Sequence, residues 1–433
     1  MRAGLAWVMI GISCGVGISP GWAAEVFLGI TRSEATRIPA SLVRLQASSA
    51  LAGQETEVRG VLEMDLRRSL VFRVMKPPNM PEIQTAENPK PDLIKKVGTR
   101  GIEAVIWMTL GKRGEDLVLE GRVYDGGTGA MVMGKRYIGE PKIFRTLIHR
   151  FSDEIVFRYT GERGIAQTRI AYTSKLTGYK ELYLMDYDGR NPRRLTGDRS
   201  LSLSPSWSSD GRWITYTSYR DGNPDIFTLD LETGRRWKMI GFPGLNISPD
   251  WSPTGDRLAF ASTRDGTAQL YSADREGKGL VRLTAGLGDS LSPTWSPTGQ
   301  EIAFVSNRGG APQIYLMNLD GTNVHRLTFS GVYNTSPAWS SKGDWIAYAC
   351  QVQSRMRICL INPDGTRQVQ LTDGAGEQED PSWSPDGRHL VFRSTLNGPG
   401  DLYMMNADGQ DMERLTFNGA QNSSPAWSPY GEK

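Results

Sequence analysis

Short apolar runs alternate with turn residues along the second half of the chain, and this alternation repeats with one fixed period. Tryptophans mark the period every 44 residues, in phrases such as SPSWSSDG, SPDWSPTG and SPAWSPYG. A period of this length is typical of repeated supersecondary units that bury their faces against one another. The marker residues are Trp207, Trp251, Trp295, Trp339, Trp383 and Trp427.

The unit that begins at Pro293 shows what each repeat contains. Its phrase PTWS is followed by the runs EIAFVS, QIYLMN and HRLTF, and turns rich in Gly, Pro, Asp and Asn separate them. This pattern predicts a four-stranded antiparallel meander. Four strands in a period of this length are typical of a β-propeller blade rather than of a helical repeat. We interpret the repeated tryptophans as packing between blades rather than as a platform for a ligand.

The two ends of the repeat region predict how the ring closes. Residues 169–196 contain the runs RIAYTS, ELYLMD and RRLT without a tryptophan strand before them, whereas SPAWSPYG near the end of the chain is a lone tryptophan strand. Together these pieces make one composite blade, and closure of this kind removes the exposed sheet edges. The sequence therefore predicts a six-bladed β-propeller over residues 166–433. Its five continuous blades are expected to start near residues 205, 249, 293, 337 and 381.

Residues 25–165 lack the repeat and mix helical with strand patterns. We expect a first strand at EVFLGI, a helix over ETEVRGVLEMDLRRSLVFRV, a Pro-rich linker and a second helix at DLIKKVG. Three strands are predicted near EAVIWMTL, DLVLEGRVYD and AMVMGKRYI. An amphipathic helix, FRTLIHRFSDEIVFRYT, then ends at Gly161. These elements indicate one small α/β domain before the propeller.

The first 24 residues have the pattern of a secretory signal peptide. Arg2 precedes an apolar stretch, and small residues allow cleavage after Ala23 or after Ala24. A lipoprotein signal acylated at Cys14 is the alternative, but Cys14 lies inside the apolar stretch and lacks a leucine three positions before it. No other stretch is long and apolar enough to cross a bilayer. We therefore expect an exported, soluble monomer without membrane insertion.

The charge balance bears on the class of partner, and the cysteines bear on a possible disulfide. The chain has 50 Lys and Arg against 47 Asp and Glu, so it lacks the basic excess expected of a nucleic-acid or anionic-surface binder. Cys350 and Cys359 follow the signal and lie on neighbouring predicted strands of one blade. A cross-strand disulfide is possible in an oxidising compartment, but we expect two buried free thiols.

Few residues in the chain suggest catalysis. His149, His325 and His389 fall in a helix and in two different blades without metal-ligand spacing, and we expect partly exposed surface side chains. The string GISCG, which is similar to a nucleophile elbow, lies in the signal peptide. DYDG at residues 186–189 is explained by a hairpin turn rather than by a calcium site. We therefore expect no enzyme, no cofactor and no metal.

The loops that lead into the tryptophan strands vary, whereas the flanks of these loops do not. The six loops read GDRSLSL, GFPGLNI, AGLGDSL, SGVYNTS, GAGEQED and NGAQNSS. Variable polar residues on a rigid repeated frame are typical of a binding face. We call these segments the entry loops.

The order of parts closely resembles the TolB family of the Tol-Pal system. The resemblance rests on the P-x-W-S-x-x-G repeats, on the run FSDEIVFRYTGERGIAQTRIAYTS that joins the last helix to the ring, and on the terminal SPAWSPY. EVFLGI resembles the extended N-terminal segment of that family. SEATRIPASLVRLQ departs from it, because family members have a cleaner Ile-Ala-Val-type strand there.

This resemblance implies a periplasmic adaptor without enzymatic activity. It implies that the propeller rim binds the lipoprotein Pal and that the N-terminal segment binds the inner-membrane protein TolA. Such proteins maintain outer-membrane integrity and support outer-membrane invagination during cell division, and some bacteriocins exploit them for import. The alternative is an exported ligand-binding or peptidase-related propeller that lacks a hydrolase domain, which converging acids in the channel would favour.

Carried onto this sequence, the resemblance gives two sets of expected contacts. Those for Pal are Leu245, Asn246, Leu291, Ser292, Tyr333, Asn334, Glu379, Asp380, Gln421 and Asn422. Those for TolA are Glu25, Val26, Phe27, Leu28, Gly29 and Ile30.

Overall fold

A computed structural model describes residues 36–86 and 88–431 of the chain. The expected signal peptide and the strand EVFLGI, with its six expected TolA contacts, lie outside these residues. None of the helices in the described residues is long and apolar enough to span a membrane.

The N-terminal unit is a five-stranded sheet with helices on both faces. Its strand order is β2-β1-β3-β4-β5, in which β1 is parallel to β2 and β3 and the other pairs are antiparallel. Short 3₁₀ turns lie at Ser49–Gln54 and Pro141–Ile143. The elements in chain order are β1 (Ile38–Ala47), α1 (Glu55–Arg68), β2 (Phe72–Val74), α2 (Pro81–Thr85), α3 (Pro91–Gly98), β3 (Ala104–Arg113), β4 (Asp116–Asp125), β5 (Met131–Gly139) and α4 (Phe144–Thr160).

Alternate side chains of β3 pack against helices on opposite faces of the sheet. Ile106 and Met108 pack into one core cluster with α1 and α4, whereas Val105 and Trp107 pack into another with α2 and α3. Successive side chains of a strand point to opposite faces, so a strand covered on both sides is apolar throughout. The α/β class predicted for this unit is confirmed.

Helices α4 and α1 end for different reasons. A local glycine ends α4, whereas strand pairing with β1 takes the chain out of the pattern of α1. Helix α4 ends as predicted at Gly161, which adopts φ 72° and donates its N–H to the Phe157 carbonyl at 2.8 Å. The predicted helix over residues 55–74 was too long. It ends at Arg68, Leu70 adopts φ 57°, and the remaining residues pair with β1 as strand β2.

The rest of the described chain forms six four-stranded antiparallel sheets arranged as a propeller. Each sheet is one blade, with the tryptophan strand innermost. The composite first blade contains β6 (Arg169–Ser174), β7 (Glu181–Asp186) and β8 (Arg193–Arg194). The second contains β9 (Ser202–Trp207), β10 (Trp213–Ser218), β11 (Asp225–Asp230) and β12 (Arg236–Ile240). The third contains β13 (Asn246–Trp251), β14 (Arg257–Ser262), β15 (Gln269–Asp274) and β16 (Val281–Arg282).

The remaining blades repeat this order. The fourth contains β17 (Ser290–Trp295), β18 (Glu301–Ser306), β19 (Gln313–Asn318) and β20 (His325–Arg326). The fifth contains β21 (Asn334–Trp339), β22 (Ile346–Val352), β23 (Arg355–Ile361) and β24 (Gln368–Gln370). The sixth contains β25 (Gln378–Trp383), β26 (His389–Ser394), β27 (Asp401–Asn406) and β28 (Glu413–Arg414). Strand β29 (Asn422–Trp427) follows and completes the first blade.

Strand β29 closes the ring as the sequence predicts. It pairs antiparallel with β6, with Asn422 opposite Ser174 and Trp427 opposite Ile170. The Trp427 indole N–H donates to Thr168 Oγ1 at 2.8 Å, which ties the last strand to the start of the ring. The prediction of six blades is confirmed.

The repeated tryptophans join neighbouring blades. The Nε1 atoms of Trp207, Trp295 and Trp383 donate to the carbonyl oxygens of Ala426, Asp250 and Ala338, at 2.9, 3.1 and 3.0 Å. Each acceptor lies on the innermost strand of the preceding blade, which confirms the packing role. Trp339 differs from them. It is half-buried, and its indole N–H reaches the Gly343 carbonyl of its own blade at 3.4 Å.

The two cysteines form a disulfide, so the expectation of two free thiols was wrong. Cys350 on β22 and Cys359 on β23 are bonded, with their Cα atoms 5.9 Å apart. They lie diagonally across the hairpin, since Cys359 is directly opposite Tyr348. Both pack in the same core cluster, and their separation is within the range that a disulfide spans.

The N-terminal domain packs on one face of the ring. In each blade this face consists of the hairpin that joins the first strand to the second and the hairpin that joins the third strand to the fourth. Arg68 Nη2 lies 2.5 Å from Glu413 Oε2, and Arg145 forms an ion pair with Asp188. We call this the exit face. The entry loops lie at the opposite ends of the strands and therefore on the opposite face of the propeller.

The histidine expectation was wrong for two of the three side chains. His149 and His389 are 3% and 1% exposed, and His325 is exposed as expected. His149 faces the junction between the domains, where its Nδ1 lies 2.8 Å from Asp65 Oδ2. His389 begins β26 and packs near the Trp427 ring, with the ring centroids 6.3 Å apart.

Candidate partner-binding face

The entry face consists of the six entry loops and the hairpins between the second and third strands of each blade. In every blade a backbone N–H near the end of the second strand donates to the carbonyl of the residue just before an innermost strand. Examples are Thr263 N to Leu245 O at 3.0 Å and Gln351 N to Tyr333 O at 2.8 Å. These bonds fix the loops to the sheets, so the face is a rigid frame on which the side chains can vary.

Three of the expected Pal contacts lie at the rim. Leu245 and Tyr333 are 41% and 42% exposed, and Gln421 is half-buried at the equivalent position of another loop. Each directly precedes an innermost strand, and its backbone carbonyl is held by the neighbouring hairpin. Their side chains are therefore accessible to a partner while their backbones are constrained.

The three asparagines among the expected contacts lie in the interior instead. Asn246, Asn334 and Asn422 are fully buried. Asn246 Nδ2 donates to the Phe242 carbonyl at 2.7 Å, and Asn334 Nδ2 donates to the Ser330 carbonyl at 2.9 Å. A buried amide that satisfies a loop carbonyl shapes that loop and is not available to a partner. The other blades also bury a polar residue at this position, namely Ser202, Ser290 and Gln378.

The remaining expected contacts lie deeper, where the innermost strands line the central channel. Leu291 and Glu379 are half-buried, and Ser292 and Asp380 lie one residue further along their strands, at the channel wall. Burial raises the pKa of Glu379, and the ion pair with Arg393 opposes this rise. Ser292 and Asp380 have left-handed φ values of 49° and 54° and precede a proline. Four equivalent residues share this conformation at a bulge: Ser204, Ser248, Ser336 and Ser424.

The channel is a cavity of about 610 Å³ lined by the innermost strands of all six blades. Asp250 and Asp380 are the two ionisable residues among its lining residues. Asp250 accepts hydrogen bonds from Ser206 Oγ at 3.1 Å and from Trp295 N at 3.0 Å, and burial raises its pKa to about 7. Asp380 likewise accepts from Ser336 and Ser424 on its two neighbouring blades. Both carboxylates therefore join blades rather than converge on one another.

Exposed apolar side chains are concentrated on the entry face. Among the described residues, sixteen large apolar side chains are exposed. Eight of these lie in the entry loops or their adjacent hairpins, and Phe329 and Phe417 directly precede an entry loop. Such a concentration is typical of a protein-protein interface. The ten are Leu176, Tyr179, Leu201, Leu245, Leu287, Phe329, Val332, Tyr333, Leu396 and Phe417.

Several of these apolar residues were not among the expected contacts. Leu287 and Phe329 are 90% and 74% exposed. The sequence interpretation assigned Phe329 to the apolar fourth strand HRLTF, but strand β20 ends at Arg326. For Leu287 the sequence offered a signal, because this bulky apolar residue lies between Gly286 and Gly288 in an otherwise polar loop.

Arginines hold the aromatic rings of the rim in place. The guanidinium of Arg326 lies 5.0 Å from the centroid of the Phe329 ring, and that of Arg414 lies 4.8 Å from the Phe417 ring. Arg414 is itself fixed, because its Nη2 lies 2.8 Å from Asp401 Oδ2. Cation-π contacts of this kind are attractive by about 0.5–1 kcal/mol at exposed sites and so favour one position of the ring. Ordered aromatic and arginine side chains are the residues that dominate binding energy at protein interfaces.

Comparison with known sequences identifies similar proteins. A model of the TolB beta propeller domain matches residues 156–431. The Tol-Pal system protein TolB of Geobacter sulfurreducens is 41% identical over 156 residues, which are 36% of each chain. That of Syntrophotalea carbinolica is 44% identical over 100 residues, 23% of each chain. The matched part thus spans about a third or less of the length of these relatives.

Comparison with solved structures extends the likeness to both domains. The crystal structure of TolB from Acinetobacter baumannii is similar with a TM-score of 0.77 and 26% identity, over 91% of this chain and 97% of that one. The nidogen/laminin complex matches with a TM-score of 0.52 over 61% of this chain and 100% of that one, but at 11% identity, and so shares the fold alone.

Proposed function

The chain belongs to the TolB β-propeller family, and on that premise we propose that it is a non-enzymatic adaptor of the Tol-Pal system. In this function the entry face binds Pal and the N-terminal segment binds TolA. The two contacts link the inner membrane to the outer membrane, maintain outer-membrane integrity and support its invagination during cell division. Bacteriocins that exploit the system would use the same protein.

The observation that carries the Pal assignment is the cluster of exposed apolar side chains on the entry face. Ten large apolar residues there face solvent, while the N-terminal domain covers part of the exit face. An apolar cluster on a rigid frame favours a protein partner, because its burial provides binding energy without a cost for ordering the loops. We retain Leu245, Tyr333 and Gln421 as contacts and add Phe329 and Phe417.

The channel supports an adaptor better than a ligand-binding or peptidase-related propeller. Its two carboxylates accept hydrogen bonds from neighbouring blades, and its other lining residues are Ser, Thr, Pro, Ala and Trp. Catalysis requires a nucleophile, base or metal ligand held in reach of one another. The lining residues of the channel include no histidine, cysteine or lysine, and both carboxylates already accept hydrogen bonds that join neighbouring blades.

A periplasmic location is supported by two independent features. The first 24 residues have the pattern of a secretory signal. The bond between Cys350 and Cys359 fits an oxidising compartment, since structural disulfides persist there and are rare in the cytosol.

Leu245→Arg combined with Tyr333→Arg should weaken Pal binding by about 100-fold or more. Both side chains are about two-fifths exposed at the rim, and each new guanidinium would have to be desolvated against the partner. Isothermal titration calorimetry with the soluble domain of Pal measures the effect. Neither backbone is altered, so the melting temperature should stay within a few degrees of the parent.

The matched control is Val281→Arg combined with Met412→Arg. These residues are similarly exposed, at 46% and 45%, but they lie on an outer strand and in a loop of the exit face. This variant should bind Pal with the parental affinity. Equal affinity of the rim variant and the control would place the Pal site elsewhere.

Deletion of residues 25–30 should abolish binding of the TolA soluble domain and leave Pal binding unchanged. This expectation rests on the resemblance of EVFLGI to the N-terminal segment of the family. Pull-down of both partners from one preparation of the mature protein tests it. Retention of TolA by the deletion variant would assign that contact to another surface.

A further inference from the structure

Three metal-ligating side chains converge where α4 meets the hairpin between β7 and β8. They are His149 of α4, Asp186 at the end of β7 and Asp188 in the hairpin. One potential ligand atom from each lies within 4.8 Å of the other two. Within the described ranges this is the one group of three or more His, Cys, Asp and Glu side chains whose ligand atoms approach one another this closely.

The imidazole of His149 is oriented toward the two carboxylates. Its Nδ1 lies 2.8 Å from Asp65 Oδ2, and the other oxygen of Asp65 accepts a hydrogen bond from the Tyr187 hydroxyl at 2.5 Å. The side chain of His149 is 4% exposed, and its Nε2 has no hydrogen-bond partner in the described structure. Nε2 lies 4.0 Å from Asp188 Oδ2. A carboxylate that holds one ring nitrogen while the other faces outward is the arrangement found behind metal-bound histidines.

The two carboxylates are fixed by their own hairpin. Asp186 Oδ2 accepts from Asn191 Nδ2 at 2.6 Å, and Asp188 Oδ1 accepts from the backbone N–H of Arg190 at 3.1 Å. Asp188 also pairs with Arg145, which has a second carboxylate partner in Glu57 at 3.3 Å. Arg145 can therefore turn toward Glu57 when a dication approaches Asp188.

We propose that His149, Asp186 and Asp188 bind one divalent transition-metal ion of the zinc type. Imidazole nitrogen with two carboxylate oxygens suits Zn²⁺ or Co²⁺, whereas Ca²⁺ prefers oxygen ligands alone. Bonds of about 2 Å in a tetrahedral site place ligand atoms about 3.3 Å apart. The three side chains need to approach by no more than about 1.5 Å to reach that separation.

The surroundings leave room for further ligands of the ion. His149 and Asp186 also line a cavity of about 710 Å³ between α4 and the ring, to which Tyr430 contributes as well. Water from this cavity can complete the coordination, as in sites with three protein ligands. Because His149 belongs to the N-terminal domain and the two aspartates belong to the propeller, the ion would join the two domains.

The same hairpin in other blades provides a matched control. Asn318, Asn362 and Asn406 replace Asp186 at the equivalent position in three blades. The third blade has carboxylates at both positions, Asp274 and Glu276, but among the described residues no histidine joins them in a group of potential metal ligands. A site that needs the histidine should therefore exist in the first blade and not in the third.

Calorimetric titration of the chelator-treated mature protein with ZnCl₂ tests the proposal. We expect one Zn²⁺ per chain and a raised melting temperature, since an ion that binds only the folded state stabilises it. Asp186→Asn should weaken the binding at least about tenfold, the effect of losing even an outer partner of a metal ligand. Asp274→Asn should leave it unchanged. X-ray absorption of the Zn²⁺-loaded protein should show one imidazole ligand, which His149→Gln removes.

Three outcomes would overturn the proposal. One is equal zinc affinity in the parent and in Asp186→Asn, which would put the ion elsewhere. Another is an absorption spectrum without an imidazole ligand. The third is displacement of the ion by equimolar Ca²⁺. If His149→Gln does not fold, Asp186→Asn still decides, because Asp186 is half-buried and its neighbour Asn191 can bond an amide. The result does not depend on the Pal or TolA assignments.

Discussion

Removal of residues 422–433 should abolish the cooperative unfolding transition of the propeller. Strand β29 is the innermost strand of the first blade, and its loss exposes the whole edge of β6. It also removes the Trp427 bond to Thr168 and the Ala426 carbonyl that accepts from the Trp207 indole. An exposed edge at the centre of a ring invites pairing with another chain. We expect calorimetry to show no sharp transition and size-exclusion chromatography to show aggregates.

A shorter deletion controls for the loss of chain length alone. Removal of residues 432–433 leaves β29 complete, and this variant should melt like the parent. A protein lacking residues 422–433 that remains monomeric with a parental melting temperature would show that the first blade is stable with three strands. Closure of the ring would then contribute little to folding.

The blade count could be predicted from the sequence because a fixed period reports a local unit. The four strands of each continuous blade lie within about 44 consecutive residues, so its strands and turns appear in order along the chain. The composite blade was predictable for the same reason, since its two parts complement each other in that order. The pattern also predicted the end of α4, because a glycine in the left-handed conformation is a local signal.

Features set by distant residues could not be predicted in this way. The pattern of α1 continues to residue 74, but Phe72 pairs with Ile38 and takes the chain into a strand. The sequence pattern predicts a surface position for His149. Its buried partner Asp65 lies 84 residues away along the chain, so no local signal indicates that the two side chains meet. Asn246 was interpreted as a variable loop residue, although the loop conformation depends on its buried amide.

Side-chain exposure beside the entry loops could not be predicted from the sequence pattern either. Phe329 follows an apolar run and was assigned to the fourth strand, but β20 is short and the ring points to solvent beside Arg326. The run HRLTF is compatible with a strand of two residues or of five, so the pattern does not define where the loop begins. The exposed apolar side chains that support the Pal proposal could therefore be identified from the structure but not from the sequence pattern.

Trp295→Ala should lower the free energy of unfolding by about 3–5 kcal/mol, and Trp339→Ala should lower it by clearly less. Trp295 is 6% exposed, and its indole reaches the carbonyl of Asp250 on the preceding blade at 3.1 Å. Trp339 holds the same place in its repeat, but it is half-buried and its indole reaches only its own blade. The cost of removing a large side chain grows with the cavity that remains, and a half-buried ring leaves a smaller one. Urea denaturation measures both variants.

Trp295→Phe separates the two contributions of that side chain. Phenylalanine keeps much of the apolar volume but leaves the Asp250 carbonyl without the indole donor, at a cost of about 1–3 kcal/mol. A loss for Trp295→Phe close to that for Trp295→Ala would mean that the hydrogen bond between blades dominates. Equal losses for Trp295→Ala and Trp339→Ala would contradict the link between inter-blade contact and stability. The 44-residue marker would then stabilise each blade internally rather than the ring.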